Sequence, residues 1–229
     1  MRYLFLIPAR GGSKGIHNKN IKKLNGKPLI EYSINIAREF VSDDDICLST
    51  DSLEIKQIAE NLNLHVPFIR PDYLASDTAN SYDVIKHCLD FYKSKGKTYD
   101  ALVLLQPTSP LRKKEDIESA LQLYSEGVDA VLSVCKAQSN PYYVHFIENK
   151  SGGLEKLLKE KFDRRQDVPE VYEVNGAVYI LNVKSIRKHN SILEFPIILK
   201  SEMPIERSAD IDDENDWNYV EYLINSNKG

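Results

Sequence analysis

Short apolar runs, each cut off by a polar turn and followed by a segment of different period, constrain this chain more than any other feature. Tyr3–Ile7, Ile46–Ser49, Val66–Ile69, Ala101–Leu105, Ala130–Val134, Ala177–Leu181 and Ile197–Leu199 are each three to five residues long. Continuous apolar runs of that length suit strands buried on both faces, as in a parallel sheet. Leu29–Phe40, Leu53–Leu62, Ser81–Tyr92, Glu115–Tyr124 and Glu214–Ile224 read as helices, with Pro28 placed to open the first. Strands alternating with helices predict an α/β fold: a mostly parallel sheet with helices on both faces. A chain of 229 residues suffices for one sizeable domain, residues 1–229. From Ala137 to Tyr172 it turns polar, Gly/Pro-punctuated and weakly periodic. Residues 137–172 therefore read as an excursion from the sheet.

The balance of residue types excludes several classes. A formal charge of −4 argues against a general nucleic-acid binder, so an anionic substrate must be held by local basic groups. Cys47, Cys88 and Cys135 are far apart, without C-x-x-C spacing, and each lies in an apolar segment. They read as buried free thiols in a reducing compartment. No apolar run approaches a membrane span and no leader is legible at Met1, so the expected location is the cytoplasm.

Three polar turns follow directly on predicted strands. The first, in IPARGGSKGIHNKNI (Ile7–Ile21), places Gly11, Gly12 and Gly15 among Arg10, Ser13, Lys14 and Lys19. Glycine lets backbone N–H groups approach a ligand, and the cations favour an anion such as phosphate. The spacing is neither a Walker A nor a dinucleotide G-x-G-x-x-G, and a solvated glycine turn is the plainer reading. The second turn is Thr50–Asp51 and the third is Gln106–Ser109, inside LLQPTSPLR. In open α/β sheets ligands bind beyond the carboxyl ends of the strands, so all three should meet at one edge.

Two other segments have both plain and chemical readings. RPDYLASDTANS (Arg70–Ser81) is a polar loop with a helix cap at its end. SADIDDENDW (Ser208–Trp217) holds five carboxylates within seven residues. Acids crowd a helix's first turn to complement its dipole, which accounts for Asp213, Glu214 and Asp216. In an extended segment Asp210 and Asp212 share one face while Ile211 turns into the core. Two such carboxylates suit a hard, oxygen-liking cation such as Mg2+.

IPARGGSKGI, then KNI and GKPLIEYSI, resembles the opening of the acylneuraminate cytidylyltransferases, the CMP-sialic acid synthetases. The likeness continues in order through RPDYLASDTANS, LLQPTSPLR, FDRRQDVPEVYEVNGAVYI (Phe162–Ile180) and SADIDDENDW. It implies a Rossmann-like nucleotidyltransferase sheet with a dimerisation excursion. It also implies that Arg10, Ser13, Lys14, Lys19 and Asn20 grip the triphosphate of CTP, while His17 stands exposed and idle. Arg70, Ser81 and the Ala79 backbone would read cytosine. Gln106 and Arg165 would contact a nine-carbon 2-keto-3-deoxy sugar acid, with Arg165 on an arm reaching towards a homodimer partner. Asp210 and Asp212 would hold Mg2+, with Lys19, Asp210 and Arg10 carrying the chemistry.

The reaction so implied is transfer of CMP from CTP to the anomeric hydroxyl of a sialic-type acid, releasing pyrophosphate. Activation of legionaminic, pseudaminic or 3-deoxy-manno-octulosonic acid is the neighbouring alternative, and a CTP-binding module without catalysis the more distant one. QPTSPL favours sialic- or legionaminic-like substrates, whereas Glu173 stands where some family members have arginine.

Overall fold

The computed structural model describes residues 1–13, 15–76, 79–158, 160, 162 and 164–226. Its strands are β1 (Tyr3–Pro8), β2 (Lys23–Leu24), β3 (Lys27–Pro28), β4 (Ile46–Ser49), β5 (Ala101–Leu104), β6 (Ala130–Lys136), β7 (Phe146–Glu148), β8 (Leu154–Lys156), β9 (Tyr172–Asn182) and β10 (Ile198–Glu202). The helices are α1 (Leu29–Ala37), α2 (Leu53–Asn61), α3 (Ser81–Ser94), α4 (Lys114–Leu123), α5 (Val183–Lys188) and α6 (Glu214–Ser226).

Six strands form the central sheet in the order β10-β6-β9-β5-β1-β4. β1 runs parallel to β4 and β5, and β10 runs parallel to β6. β9 lies between β5 and β6, antiparallel to both. The sheet is therefore mostly parallel, as expected, with one reversed strand at its centre. Successive side chains of a strand point to opposite faces. Phe5 and Ile7 join Ile34 and Ala37 of α1, Ala59 of α2 and Ile117 of α4 in one core. Leu4 and Leu6 join Ile85 and Leu89 of α3 and Ile186 of α5 in the other. Every residue named in these two cores is nearly or wholly sealed from solvent.

One expected strand is absent. Val66–Ile69 forms no ladder, although Val66 is fully buried. Pro67 has no N–H to donate, and at this outer flank of β4 the Arg70 amide reaches across to the Thr50 carbonyl at 2.7 Å. The run buries apolar surface without extending the sheet.

Local chemistry carries the chain from β1 into α1. After the glycine turn, β2 and β3 make a small hairpin through Asn25 and Gly26, with φ of 48° and 81°. That pair is the usual two-residue hairpin turn, since both positions need left-handed φ. Pro28 stands just before α1, which begins at Leu29. A third, smaller core of Ile16, Leu24, Leu29, Ile211, Trp217 and Val220 seats α6 against this region. Full burial of an isoleucine such as Ile211 contributes about 1.5–3 kcal/mol, enough to fix the acidic segment beside the glycine turn.

Within residues 137–172, β7 and β8 pair as a hairpin closed by Asn149, whose Oδ1 accepts from the amides of Ser151 and Gly153. Phe146, Ile147 and Leu154 are exposed on it. The three cysteines are free and buried. Among the described residues, no helix is long and apolar enough to cross a membrane.

Candidate functional site

The glycine turn and the turn after β5 meet at one cleft, whereas Thr50 and Asp51 do not line it, although Asp51 holds the Gly11 amide. A cleft of about 470 Å³ opens beyond the carboxyl ends of β1 and β5, lined by Arg10, Ser13, Lys19 and Asn20 from the glycine turn. Arg70 and Ala79 line it from the loop before α3, Ser81 from the first turn of α3, Gln106 and Thr108 from the turn after β5, and Asp212 from the acidic segment. Its volume suits a small-molecule ligand. Nine of the twelve residues expected at the site therefore share one wall-to-wall space. Lys14 lies outside the described residues. Arg165 begins a short 3-10 turn, Arg165–Asp167, and its side chain lies outside the described part. Asp210 is half-buried and is not among the residues that line the cleft.

The glycine turn is held by its neighbours. The Gly11 amide donates to Asp51 Oδ1 at 2.9 Å, and Asn20 Nδ2 donates to the Arg10 carbonyl at 2.8 Å. Asn20 thus shapes the loop backbone while lining the cleft. Gly12 has open space where a side chain would start, whereas a β-carbon on Gly15 would meet the Asp212 carbonyl. Gly15 is required because two backbones touch there. His17 is exposed and lines no part of the cleft.

Lys19 joins that turn to the acidic segment. Its side chain is almost buried, and Nζ donates to the Ile211 carbonyl at 2.5 Å and lies 3.6 Å from Asp212 Oδ1. The Asp212 side chain is 81% exposed. Asp210 is far more enclosed. Burial raises its carboxyl above the ordinary carboxylate range, opposed by a hydrogen bond from Thr108. Its Oδ1 is buried and has no hydrogen-bond partner among the described residues. The segment is tied down by the Ile211 amide donating to the Thr108 carbonyl at 2.8 Å.

Arg70 is committed more fully than its sequence context implies. Its Nε donates to Ser49 Oγ at 3.0 Å and one Nη2 hydrogen goes to the Ser49 carbonyl at 2.6 Å. Burial lowers its pKa. It closes the cleft floor against β4 while forming part of the lining. Gln106 lies over Gly176 of β9, whose φ is 72°. A β-carbon there would stand 2.8 Å from Gln106 Oε1, so this glycine leaves room for the amide.

Several contributors gave little local signal. Arg112 lies beneath the turn after β5, and burial pulls its guanidinium down to about 9. Asn175 accepts from Ser133 Oγ at 2.6 Å and donates to Ser208 Oγ at 2.9 Å, linking β6 and β9 to the start of the acidic segment. Asp116 of α4 receives Arg207 through two bonds, 2.9 and 2.6 Å. Such partners come from distant strands and helices, and no short motif announces them.

A family model described as Cytidylyltransferase matches residues 4–223, almost the whole chain. The chain belongs to the cytidylyltransferase family. It is 32% identical over its whole length to the CMP-N,N'-diacetyllegionaminic acid synthase of Legionella pneumophila, covering 98% of that protein. It is 34% identical to the N-acylneuraminate cytidylyltransferase of Streptococcus agalactiae, over 96% of this chain and 52% of that longer protein. Among solved structures, a CMP:2-keto-3-deoxy-manno-octonic acid synthetase complexed with CTP superposes with a TM-score of 0.73. The superposition covers 99% of this cytidylyltransferase and 100% of the other chain, at 16% identity, a likeness of fold.

The cleft of this cytidylyltransferase has the parts that nucleotide chemistry needs. The cations of the glycine turn suit phosphate, and the polar groups at the α3 end suit the edge of a base. Among the described residues no group of three or more His, Cys, Asp or Glu side chains forms a metal cage. The carboxylates of Asp210 and Asp212 would nevertheless suit a hard divalent cation. Both present oxygen, and one oxygen of Asp210 is unpaired.

Proposed function

We propose that this cytidylyltransferase transfers CMP from CTP to the anomeric hydroxyl of a sialic-type nonulosonic acid, N-acetylneuraminate or a close relative such as a legionaminic acid. The observation that carries the reading is the cleft that Arg10, Ser13, Lys19, Asn20, Arg70, Ser81, Gln106 and Asp212 line together. In this reading Arg10, Ser13, Lys14, Lys19 and Asn20 bind the triphosphate, about four negative charges that require several donors. Arg70, Ser81 and the Ala79 backbone face cytosine. Gln106 orients the sugar acid, and Arg165 offers a fork to its carboxylate.

Catalysis is then positioning and charge stabilisation. Lys19, fixed by the Ile211 carbonyl, faces charge that develops on the phosphates. The hydroxyl of the acid forms a bond to the α-phosphorus, the bond to the bridging oxygen breaks, and pyrophosphate carries off the electron pair. Asp210 would orient the hydroxyl and receive its proton through an oxygen not given to the metal. Asp210 and Asp212 would hold Mg2+, which when bound neutralises charge at the α-phosphate. The similarity to a legionaminic acid synthase and an N-acylneuraminate cytidylyltransferase supports the substrate class.

The same reading gives the excursion of residues 137–172 to a homodimer. Val144, Phe146 and Leu154 are 51, 48 and 74% exposed there, an apolar surface suited to a second copy. Function on a cytosolic nucleotide fits a cytoplasmic location. The deciding assay is pyrophosphate release from CTP and Mg2+ with a panel of nonulosonic and octulosonic acids. Release with a nonulosonic acid supports the reading and identifies the sugar. CTP binding with no release across the panel would leave a binding module instead.

A further inference from the structure

The reaction proposed above leaves one buried cation without a task. Arg112 is 5% exposed. Its Nε donates to the Ser109 carbonyl at 3.0 Å, and Nη2 donates to Ser33 Oγ at 3.2 Å and to the Gln106 carbonyl. Nη1 is buried and has no acceptor among the described residues. Burying a guanidinium is costly, and leaving one of its donors unmet adds to that cost. Two carboxylates act on its charge, Asp210 more strongly than Asp116.

Asp116 is already committed. Its oxygens take Arg207 at 2.6 and 2.9 Å and the Lys113 amide at 2.8 Å. Asp210 takes a hydrogen bond from Thr108, but its buried Oδ1 has no partner among the described residues. The two unmet groups also share a support. Arg112 bonds to both ends of the Gln106–Ser109 turn, and the acidic segment hangs on the same turn through Thr108.

We propose that Arg112 is a positioning residue for the transfer: it anchors the turn from below and is the internal counter-charge of Asp210. One side chain thereby sets both Gln106 and Asp210 relative to the cleft. The proposal rests on the assignment of the cleft to CTP and a sugar acid. It places the effect of Arg112 on the sugar-acid end, because its partners lie there and not at the base end.

Two measurements on the full chain test it. Arg112→Lys keeps the charge and loses the planar fork. The expected result is a CTP Kd within about threefold of the parent, with kcat/KM for the sugar acid down at least about 30-fold. Equal losses in CTP binding and in sugar-acid kcat/KM would make Arg112 merely structural, and losses below about twofold in both would remove it from the reaction. The second measurement needs no substrate, so it separates failure of this proposal from failure of the functional reading. Thermal midpoints are taken for Arg112→Lys, Asp210→Asn and the double variant. Coupled side chains give shifts that do not add, whereas shifts that add within about 1 °C would overturn the pairing. If Arg112→Lys does not fold, Ser33→Ala replaces it in the kinetic test, removing one anchor of the guanidinium. It should raise the sugar-acid KM about threefold with CTP affinity intact, and an unchanged KM overturns the proposal.

Discussion

A β-carbon built on Gly15 would stand 2.0 Å from the carbonyl oxygen of Asp212. The glycine turn and the acidic segment, from opposite ends of the sequence, therefore touch backbone to backbone at the edge of the cleft. Gly15→Ala must push the two apart. We expect a loss of about 1–3 kcal/mol in stability, of the size usual for overpacking, with a clear fall in turnover. Gly12→Ala, which points into open space, should stay within about 0.5 kcal/mol. Urea unfolding of the two variants side by side checks this, and equal effects would contradict the packing argument.

Asp212 is exposed at the cleft, with Lys19 close by. Asp212→Asn keeps the size of the side chain and removes its charge. Turnover should drop about 100-fold while CTP affinity changes only severalfold, the pattern of a group that acts in the transition state. Near-normal turnover would exclude Asp212 from holding the cation.

Asp116 and Arg207 make a two-bond ion pair, with the Asp116 side chain 3% exposed. Removing one partner of such a pair strands the other charge. Asp116→Ala should cost about 1.5–3 kcal/mol, because Arg207 keeps part of its side chain in solvent. Glu214→Ala, which breaks the more exposed pair with Lys22, should cost no more than about 1 kcal/mol. Denaturant midpoints rank the two directly.

Arg38 holds Asp43 through two bonds of 2.8 Å, and this hydrogen-bonded cation keeps the Asp43 carboxyl below its ordinary 3.8. The folded state thus binds this proton less readily than the unfolded state. The stability so gained is fully present above the unfolded value and is lost as pH falls through the lower folded value. Wild type and Asp43→Asn should differ in urea midpoint at neutral pH and converge in strong acid. A gap that does not change with pH would refute the assignment.

The sequence revealed most of what lies along one strand or one turn. The β1 run, the glycine turn and the expectation of convergence beyond the strand ends needed only periodicity and local chemistry. Ile211 was legible as a core residue between two carboxylates because alternation in an extended segment is strict. What required the folded chain was pairing at a distance. Nothing in Tyr172–Asn182 states that β9 runs against its neighbours, since the apolar run at its end reads alike in both directions. Val66–Ile69 looked like a strand because burial and pairing give similar apolar runs, and only the missing N–H of Pro67 distinguishes them. Asn25-Gly26 was a findable hairpin signal, masked by the polar residues around it. Arg70 was legible as a polar contact, but its engagement with Ser49 depends on where β4 ends. Arg112 ends a string rich in turn residues, and no local feature marks an arginine for burial.

The position of β9 also bears on how the chain reaches its final form. Without it the sheet is two separate pieces, β4-β1-β5 and β6-β10, with no ladder between them. The first piece is complete once residue 104 has been added, and the second waits for residue 202. Only the reversed strand, pairing with β5 on one side and β6 on the other, sews them together. Gln106 rests on Gly176 of that seam, and Asn175 ties it to Ser208 ahead of the acidic segment. Gln106 and the acidic segment, on the two sides of the strand ends, therefore both lean on the one strand that joins the halves of the sheet.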